Sequence, residues 1–388
     1  MSQARTALVR AYPHHAPRQA SMKFTITRQN LHKGLAAVSA SIPAKTTLPV
    51  LSNVLLEAED NAVWLSGTDL DVSIRMKVPA EVAQGGAITA PGRKLQELTR
   101  ELPDEPVDVQ ARGDQLEIAC GHSRFKLNGL PSEEFPNLPV IDFEEGWAVS
   151  EESLRLLIKT TSFAVSTEES RPILNGVLWE LEDTQMCMVA TNGHRLAKMV
   201  VKSDSTEAGS ADLIVPPTAL GQVERLFDED GTLTVARGGN HLAFRSDHKE
   251  VYTRLIEGKY PNYEQVIPKD NDRIATVDRQ VLEGALRRMA VLASDQTRRV
   301  KMSFQTDRVH FDVMTPDLGE AHDELELDYE GDGLEIGFNA NYLLEVLRNM
   351  PPGEVRLAFK SAERAATVTP ASDDLDYLCL VMPLRLVD

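Results

Sequence analysis

Leu51-Ser52-Asn53-Val54-Leu55-Leu56-Glu57 is the first of three similar segments; the others are Leu174-Asn175-Gly176-Val177-Leu178-Trp179-Glu180 and Arg299-Val300-Lys301-Met302-Ser303-Phe304. The valines at the matching place, Val54, Val177 and Val300, stand 123 residues apart, from 54 to 177 and from 177 to 300. A spacing of this length is too long for a solenoid repeat and is typical of a domain with its own core. The pattern therefore predicts three homologous domains.

A second set of anchors keeps nearly the same register. Leu95, Leu220 and Leu343 follow one another at intervals of 125 and 123 residues. The repeat places the domain boundaries at residues 22–144, 145–272 and 273–388. Residues 1–21 carry three arginines and no acidic residue, and they lack sustained periodicity. We expect that extension to be disordered or non-native, and to lie outside the fold.

Each copy alternates helical and strand patterns twice, which is typical of an α+β domain whose helices cover one side of antiparallel strands. In the first copy Leu31, Leu35 and Val38 follow the helical period. The other predicted helices cover residues 93–102, 153–161, 218–227, 280–292 and 341–350. Predicted strands cover residues 54–58, 62–66, 107–110, 116–119, 177–182, 186–190, 233–236, 309–313 and 355–359.

Composition narrows the class of protein. The chain of 388 residues is 42% hydrophobic and 26% charged, within the ordinary globular range. Its apolar runs are too short for a membrane helix, so the sequence predicts a soluble protein that does not enter a membrane. Cys120, Cys187 and Cys379 stand singly without metal-ligand spacing, which favours reduced core thiols and a cytoplasmic location. The net charge of −18 argues against a generally adhesive nucleic-acid surface.

Basic residues nevertheless occur on every predicted helix. They are Arg28, Lys33, Arg93, Lys94, Arg100, Arg155, Lys159, Arg225, Arg287, Arg288 and Arg348. One interpretation is an ordinary solvated helix face, since helices commonly expose Lys and Arg. If the three copies turn their helices toward one axis, the same bases line a cavity that suits a polyanion held through its phosphates.

Nine short motifs, in order, give the chain a resemblance to a known family. They are Met22-Lys23-Phe24-Thr25, Thr47-Leu48-Pro49-Val50-Leu51, Gly67-Thr68-Asp69-Leu70, Ser123-Arg124-Phe125, Phe135-Pro136-Asn137-Leu138, Ala190-Thr191-Asn192-Gly193-His194-Arg195-Leu196, Tyr260-Pro261-Asn262-Tyr263, Glu335-Ile336-Gly337-Phe338-Asn339 and Val381-Met382-Pro383-Leu384-Arg385-Leu386. From Met22 onward the chain resembles the bacterial β sliding clamps, the processivity subunits of the replicative DNA polymerase III.

This resemblance implies a head-to-tail homodimer. Two chains of three clamp domains would close into a six-domain ring, with helices lining the hole and sheets outside. The implied partners are double-stranded DNA without sequence specificity, the DNA polymerase III alpha subunit, an ATP-dependent clamp loader, and other polymerases and repair proteins that carry clamp-binding peptides.

The resemblance also implies a hydrophobic cleft for partner peptides between the second and third domains. Its residues would be Leu174, Thr191, Gly193, His194, Arg195, Leu196, Pro261, Val266, Asn339, Tyr342, Val381, Met382, Pro383, Leu384 and Arg385. Leu, Val, Pro and Met make an adaptable apolar groove. The sequence departs from the family at Gln265, where well-known members have a base, and at Val387-Asp388, beyond the usual ending.

Two further sets of residues follow from the resemblance and the helix bases. The expected DNA contacts are Lys45, Arg93, Lys94, Arg100, Arg195 and Lys198. The expected dimer interface consists of His122, Arg124 and Phe125 on one side and Val291, Leu292, Asp295 and Arg298 on the other. Without the family, Phe125 and Leu292 would be read as ordinary core residues.

Two rival interpretations remain. An enzyme could use His194 as a general base beside Arg195 as an anion partner. The sequence contains no nucleophile motif, Walker loop, Gly-x-Gly-x-x-Gly or metal-ligand cluster, so we expect no catalysis, cofactor or metal. The other rival is a three-domain interaction scaffold that never meets DNA, which predicts no clustering of bases on one side of the helices.

Overall fold

The structure is a computed structural model that describes residues 21–182, 184–202, 210–228 and 230–386. The chain divides into two compact units. The first comprises residues up to 148 with 225–227 and 232–254, and the second comprises 149–224, 228–231 and the residues from 255 onward. Val387-Asp388 lie outside the described residues, as does the predicted extension except for Ser21.

The first strand begins one residue before the predicted first domain. Ser21 begins the first strand and lies opposite Arg112 on the neighbouring strand. The antiparallel pairing of this strand therefore includes Ser21, a polar residue that gives no hydrophobic signal in the sequence.

The first copy folds as predicted into helices and antiparallel strands. Its strands are β1 (Ser21–Thr27), β2 (Asn53–Glu59), β3 (Ala62–Thr68), β4 (Val72–Pro79), β5 (Glu81–Gln84), β6 (Gly86–Pro91), β7 (Pro106–Arg112), β8 (Gln115–Cys120) and β9 (Ser123–Asn128). Its helices are α1 (Arg28–Val38) and α2 (Gly92–Glu101).

The second and third copies repeat this order. The strands of the second are β10 (Trp147–Ser150), β11 (Val177–Leu181), β12 (Gln185–Thr191), β13 (Arg195–Lys202), β14 (Ala211–Val215), β15 (Thr232–Gly238), β16 (His241–Arg245) and β17 (Lys249–Arg254), with helices α3 (Glu151–Thr161) and α4 (Pro217–Leu226). The strands of the third are β18 (Arg273–Asp278), β19 (Arg299–Gln305), β20 (Arg308–Thr315), β21 (Gly319–Glu326), β22 (Asp328–Glu330), β23 (Leu334–Asn339), β24 (Glu354–Phe359), β25 (Ala366–Pro370) and β26 (Asp376–Val381), with helices α5 (Arg279–Ala290) and α6 (Ala340–Asn349).

The sequence anchors occupy equivalent core positions. Val54, Val177 and Val300 are each 0% exposed, at the start of β2, β11 and β19. Each of these strands pairs with the strand that follows it and with the strand that precedes the copy's second helix. The leucine anchors are the fourth residues of α2, α4 and α6, and they are at most 1% exposed. The three copies therefore share the packing of their cores as well as their sequence pattern.

Side-chain caps fix where several helices begin. Thr27 precedes α1 and accepts a hydrogen bond from the Asn30 amide, and Asp278 precedes α5 and accepts from the amides of Gln280 and Val281. The predicted end of the fifth helix at Leu292 was two residues late. The helix ends at Ala290, and the Leu292 amide instead donates to the Met289 carbonyl in a tighter turn.

Neighbouring copies join through their sheets. In the first unit β17 pairs antiparallel with β4, within the strand order β15-β16-β17-β4-β3-β2-β6. In the second unit β26 pairs antiparallel with β13, within the order β14-β11-β12-β13-β26-β25-β24-β18-β22. Two smaller sheets, β5-β1-β7-β8-β9 and β21-β20-β19-β23, end at β9 and at β21. The last strand of one copy therefore meets the fourth strand of the copy before it.

Candidate functional site

A tight turn between β12 and β13 presents several residues of the predicted groove. The Asn192 carboxamide oxygen accepts hydrogen bonds from the amides of His194 (2.9 Å) and Arg195 (3.0 Å). Thr191 Oγ1 accepts from the Gly193 amide at 3.1 Å and donates to the Arg195 carbonyl at 2.6 Å. Gly193 has a φ of +87°, a left-handed conformation that suits glycine. The turn is held by its own side chains, and it leaves Gly193 and His194 exposed.

Arg195 lies at the base of this turn with only 7% of its side chain exposed. Its guanidinium donates to the Phe163 carbonyl at 2.5 Å and to the Glu345 carboxylate. The same group stands 4.9 Å from the centre of the Tyr342 ring and 5.3 Å from that of Phe163. Burial lowers the pKa of Arg195 from its ordinary value. The residue ties the second copy to helix α6 of the third.

The C-terminal segment runs beside the turn. The Met382 amide donates to the His194 carbonyl at 2.8 Å, and the Leu384 amide donates to the Gly337 carbonyl at 2.8 Å. Arg299 donates to the Arg385 carbonyl at 3.1 Å. Met382 is 37% exposed, so a flexible apolar side chain lies open to solvent at this place.

The beginning of α6 forms another wall. Asn339 caps the helix by accepting hydrogen bonds from the amides of Asn341 and Tyr342. The Tyr342 ring stacks on the His194 ring, with centroids 6.3 Å apart and an angle of 15° between the ring planes. The cap therefore fixes the position of an aromatic ring that faces the turn.

An apolar cluster underlies the groove. Leu196 is buried within it, and Leu174 packs against it while partly exposed. Tyr260 and Tyr263 belong to the same cluster and flank Pro261 in the sequence. Val266 is 55% exposed at the end of a 3-10 turn that begins at Tyr263. An exposed valine beside a buried cluster suits a surface that another chain covers.

Hydrogen bonds and ring contacts thus connect the turn, the C-terminal segment and the start of α6 within the second unit, whereas Leu174, Pro261 and Val266 of the predicted groove lie on other segments. Sequence reasoning missed Phe163 and Glu345, which hold Arg195 in place. Neither belongs to a motif, and Glu345 reads in the sequence as an ordinary exposed helix residue. Gln265 lies exposed in the same 3-10 turn as Val266.

The predicted DNA contacts fall into two groups. Lys45 is exposed in the loop before Leu48, and Arg93, Lys94 and Arg100 are exposed on α2. Arg195 is buried in the groove, a placement that favours a role there over a phosphate contact.

Lys198 lies on strand β13, so it does not belong to the helix bases. Its Nζ is 5.6 Å from the centre of the Tyr263 ring. Only the first group therefore consists of exposed cations on or near helices.

The predicted interface residues lie on two separate surfaces. Arg124 and Phe125 belong to β9, and His122 lies in the turn before it. On the other surface Val291, which is 75% exposed, and Leu292 follow α5. Asp295 and Arg298 form an ion pair of 2.5 Å in the loop that comes next.

Sequence reasoning missed β21, the strand at which the other small sheet ends. Its sequence, Gly-Glu-Ala-His-Asp-Glu-Leu-Glu over residues 319–326, resembles a charged loop more than a strand. Met314, near the end of β20, and Leu318, in the turn between β20 and β21, are 75% and 62% exposed. The hydroxyl of Thr315, the last residue of β20, donates to the Leu292 carbonyl at 2.6 Å, which links this end of the strand to the predicted surface.

Two structural features are absent from the described residues. No helix in that part of the chain is long and apolar enough to span a membrane. Within the same ranges, no three His, Cys, Asp or Glu side chains are grouped so that they could hold a metal ion.

Comparison with known proteins identifies the repeat. Residues 22–139, 148–262 and 264–385 match the models for the N-terminal, central and C-terminal domains of the DNA polymerase III beta subunit. The chain is 35% identical over 373 residues to the beta sliding clamp of Pseudomonas putida and 36% identical over 375 residues to that of Caulobacter vibrioides. Each alignment covers 94% of this chain and 100% of the relative.

Solved structures agree. The sliding clamp of Pseudomonas aeruginosa bound to griselimycin has a TM-score of 0.90 at 35% identity, and the sliding clamp of Bacillus subtilis has 0.90 at 28%. Both comparisons cover 94% of this chain and 100% of the other. Three matching domains in the same order, over nearly the whole length, show that the chain belongs to the DNA polymerase III beta subunit family, the bacterial sliding clamps.

Proposed function

We propose that this protein is the processivity clamp of a replicative DNA polymerase. It encircles duplex DNA as a ring of two chains and tethers the polymerase to its template. The observation that carries the proposal is the repeated junction between copies, in which β17 pairs with β4 and β26 pairs with β13. A domain that joins its neighbour in the same way each time generates a closed ring when the rotation closes.

The proposed homodimer uses the two strand edges that the junctions between copies leave over, β9 and β21. By position in the repeat, β9 corresponds to β17 and β26, and β21 corresponds to β4 and β13. Each ends a sheet in the described part of the chain, and an exposed strand edge is a template for pairing with another chain. The charges are complementary, since β9 carries Arg124 and Lys126 whereas β21 carries four carboxylates. We therefore propose that β9 of one chain pairs with β21 of the other.

DNA would be held through its phosphates by exposed bases, among them Lys45, Arg93, Lys94 and Arg100. Long side chains that reach phosphates directly or through water give a hold that is sensitive to salt and indifferent to sequence. A clamp needs weak contacts of this kind, because tight ones would prevent sliding. The closed ring, and not the affinity of these contacts, would keep the protein on the DNA.

Partner proteins would dock in the groove of the second unit. Exposed Met382 and Val266, with the Tyr342 ring, suit a short peptide anchored by apolar side chains. The proposed partners are the DNA polymerase III alpha subunit, an ATP-dependent clamp loader, and other polymerases and repair proteins that carry such peptides. Gln265 lies in the 3-10 turn of Val266, where it can alter affinity without removing the groove.

We propose no catalytic role and no cofactor. His194 stacks on Tyr342, and the neighbouring guanidinium of Arg195 is committed to Glu345 and the Phe163 carbonyl. That arrangement leaves the pair without an accessible anion-binding cation, which the enzyme interpretation requires. The buried thiols Cys120, Cys187 and Cys379 support a cytoplasmic location, where thiols stay reduced.

Retention on nicked circular DNA tests the proposal. The protein is loaded with a clamp loader and ATP, and its retention is measured before and after the circle is cut to a linear form. Release on linearisation supports encirclement, whereas equal retention on both forms means direct binding and overturns the clamp. Reversing charge at Arg93 and Lys94 should weaken loading on DNA while leaving peptide binding unchanged. A scaffold that never meets DNA would show no effect of this reversal.

A further inference from the structure

A cavity of about 450 Å³ lies beside α1 and α2 of the first copy. All the residues that line it are polar or charged, and they include two guanidinium groups and an imidazole. The lining residues are His32, Ser39, Arg93, Gln96, Glu97 and Arg100. The cavity is therefore suited to an anion, and it lies on the helix pair that carries the exposed bases.

The hydrogen bonds of Thr99 favour one tautomer of His32. Thr99, which is 0% exposed, donates its hydroxyl proton to the Gln96 carbonyl at 2.9 Å. Bonds of this kind to a carbonyl in the preceding turn are usual for a helical threonine. His32 Nδ1 lies 3.4 Å from the same hydroxyl oxygen, which has no second proton to give. Nδ1 therefore carries the proton, and Nε2 is the nitrogen left to meet a ligand.

The charges around the ring leave an excess of positive charge. Arg93 donates to the Ile42 carbonyl at 3.4 Å, and its charge also acts on the Glu97 carboxylate. Arg100 is 4.0 Å from Glu101 and remains 69% exposed. Glu97 is engaged by Lys94 at 2.7 Å, and this contact lowers the pKa of Glu97. Glu97 is thus held in its ionised form, and the other charged side chains of the lining are the two guanidiniums of Arg93 and Arg100.

The three copies differ at the position that His32 occupies in the first. The fifth residue of the first helix is His32 in α1, Arg155 in α3 and Glu283 in α5. The ninth residue of the second helix is an arginine each time, at Arg100, Arg225 and Arg348.

The ion pairs at these positions differ in the same way. Glu283 is paired with Arg279, Arg287 and Arg348, so the third copy places a carboxylate among its own bases. Arg155 donates to the Asp228 carbonyl and lies 3.9 Å from Asp230. The first copy alone combines a titratable ring with the shared arginine.

We propose that this cavity binds one phosphate of the DNA backbone and that His32 accepts a proton at Nε2 when the phosphate enters. The proposal rests on the clamp function, since it names a contact between the ring and the duplex that it surrounds. The charged groups around the imidazole are Arg93, Glu97 and Arg100 on α2, with Lys33 and Arg28 on α1, the latter 3.5 Å from Asp104. A protonated Nε2 donates a charge-assisted hydrogen bond to a phosphate oxygen, and the two guanidiniums share the remaining charge. The clamp then grips DNA more firmly as the pH falls.

The test measures binding of a short linear duplex by fluorescence anisotropy at low salt, at about pH 6 and about pH 8. The wild-type protein should bind roughly three to ten times more tightly at the lower pH than at the higher. His32→Gln should lose most of this dependence, because an amide can still donate to Thr99 but cannot take up a proton. His32→Lys should bind about equally at both pH values, because its charge is permanent. His241→Gln, on strand β16, is the matched control and should keep the wild-type dependence.

A His32→Gln protein with the wild-type dependence on pH would overturn the proposal. Retention on nicked circles is measured in parallel, so a failure of encirclement by the wild-type protein is recognised separately. Imidazole signals in a sample labelled at histidine then separate the sources of phosphate. A shift of the His32 signal with duplex supports the backbone phosphate. A shift of the His32 signal with inorganic phosphate alone, and none with duplex, would assign the cavity to a free anion and overturn the proposal.

Discussion

Arg195 shows how one side chain can connect two domains. A buried guanidinium has a high desolvation cost, which is offset only when its hydrogen bonds are made. Here the carboxylate of Glu345, the carbonyl of Phe163 and the Tyr342 ring surround it. Glu345 is itself 42% exposed on its side chain, so part of its charge stays solvated. Removing the arginine therefore costs less than removing one partner of a fully buried pair.

We expect Arg195→Ala to lower the free energy of unfolding by about 2 to 3 kcal/mol. Peptide affinity should fall roughly tenfold, because Tyr342 and the turn lose a common support. Urea unfolding and a peptide titration measure the two effects. Arg364→Ala is the control, since Arg364 forms an exposed ion pair with Asp270 and should cost under about 1 kcal/mol. Equal losses of unfolding free energy in the two variants would show that the burial of Arg195 contributes nothing to stability.

The buried thiols predict how stability responds to alkali. Burial raises the pKa of Cys187 and of Cys379 to about 12. In the unfolded chain these thiols release their protons above about pH 8.5, whereas the folded protein retains them up to much higher pH. The contribution of these protonated thiols to the free energy of unfolding is therefore fully present below about pH 8.5 and is lost as the pH rises toward about 12. Burial also raises the pKa of Tyr263 and of Tyr377, which acts in the same direction.

The free energy of unfolding should therefore be nearly flat around pH 7 to 8 and should decline above about pH 9. The two thiols together account for a slope of at most about 2.7 kcal/mol per pH unit. Urea unfolding at several pH values measures the slope, and a Cys187→Ala, Cys379→Ala variant should have a shallower one. An identical slope in that variant would mean that both thiols are already accessible to hydroxide in the folded state.

At the level of elements, copies one and two build the same turn from different residues. In the first copy Thr68 Oγ1 accepts from the Leu70 amide at 3.0 Å. Asp69 Oδ1 accepts from the amides of Asp71 (3.0 Å) and Val72 (2.7 Å). These three bonds match those that Thr191 and Asn192 accept in the second copy, whereas the Thr68 hydroxyl pairs with Ser73 at 2.7 Å and the Thr191 hydroxyl donates to the Arg195 carbonyl. Leu70 has a φ of +81° at the place of Gly193, and its side chain is 52% exposed. A leucine is strained in this conformation, whereas a glycine is not.

Leu70→Gly should therefore raise the free energy of unfolding by about 0.5 to 1 kcal/mol. Relief of the left-handed strain, about 1 to 2 kcal/mol, exceeds the added freedom of the unfolded chain. The reverse change, Gly193→Leu, should lower it by about 1 to 2 kcal/mol. Both are measured by urea unfolding. A loss of stability in Leu70→Gly would mean that the exposed leucine packs well enough to outweigh its strain.

Elements with strong periodicity were predictable from the sequence. The apolar anchors specify β2, β11, β19 and the second helices, because a buried position tolerates few residue types. β21 could not be predicted in this way. Its alternation is of charged and small residues, and it becomes a strand because β20 supplies a full antiparallel ladder from Arg308 to Thr315. Pairing with a neighbouring strand determines that this segment is extended, and the local sequence does not indicate it.

The resemblance supplied the residues of the proposed groove but not the side chains that support them. The resemblance named Thr191, His194 and Tyr342, whereas the burial of Arg195 depends on Phe163 and Glu345, which lie 32 and 150 residues away from it in the sequence. Pairings at that separation leave no mark in a single sequence. The same holds for the contact between His32 and Thr99, 67 residues apart.

At the level of the whole molecule, the proposed closure depends on unlike edges. β9 carries Arg124 and Lys126, and β21 carries Glu320 and Glu324 among its four carboxylates. In a head-to-tail dimer each chain contributes one edge to either interface. A chain with reversed charges on only one edge therefore meets like charges at both interfaces of its homodimer, which costs several kcal/mol.

Arg124→Glu with Lys126→Glu should make the chain monomeric, and so should Glu320→Lys with Glu324→Lys. Each dimer should weaken by about 100-fold or more, measured by sedimentation velocity. When the two variants are mixed, every interface joins unlike charges again, so they should form a heterodimer that neither forms alone. If β9 instead paired with β9 across a twofold axis, the changes on β21 would leave the dimer intact. That outcome would exclude the head-to-tail ring, whereas dimerisation only on mixing is the behaviour that two unlike edges require.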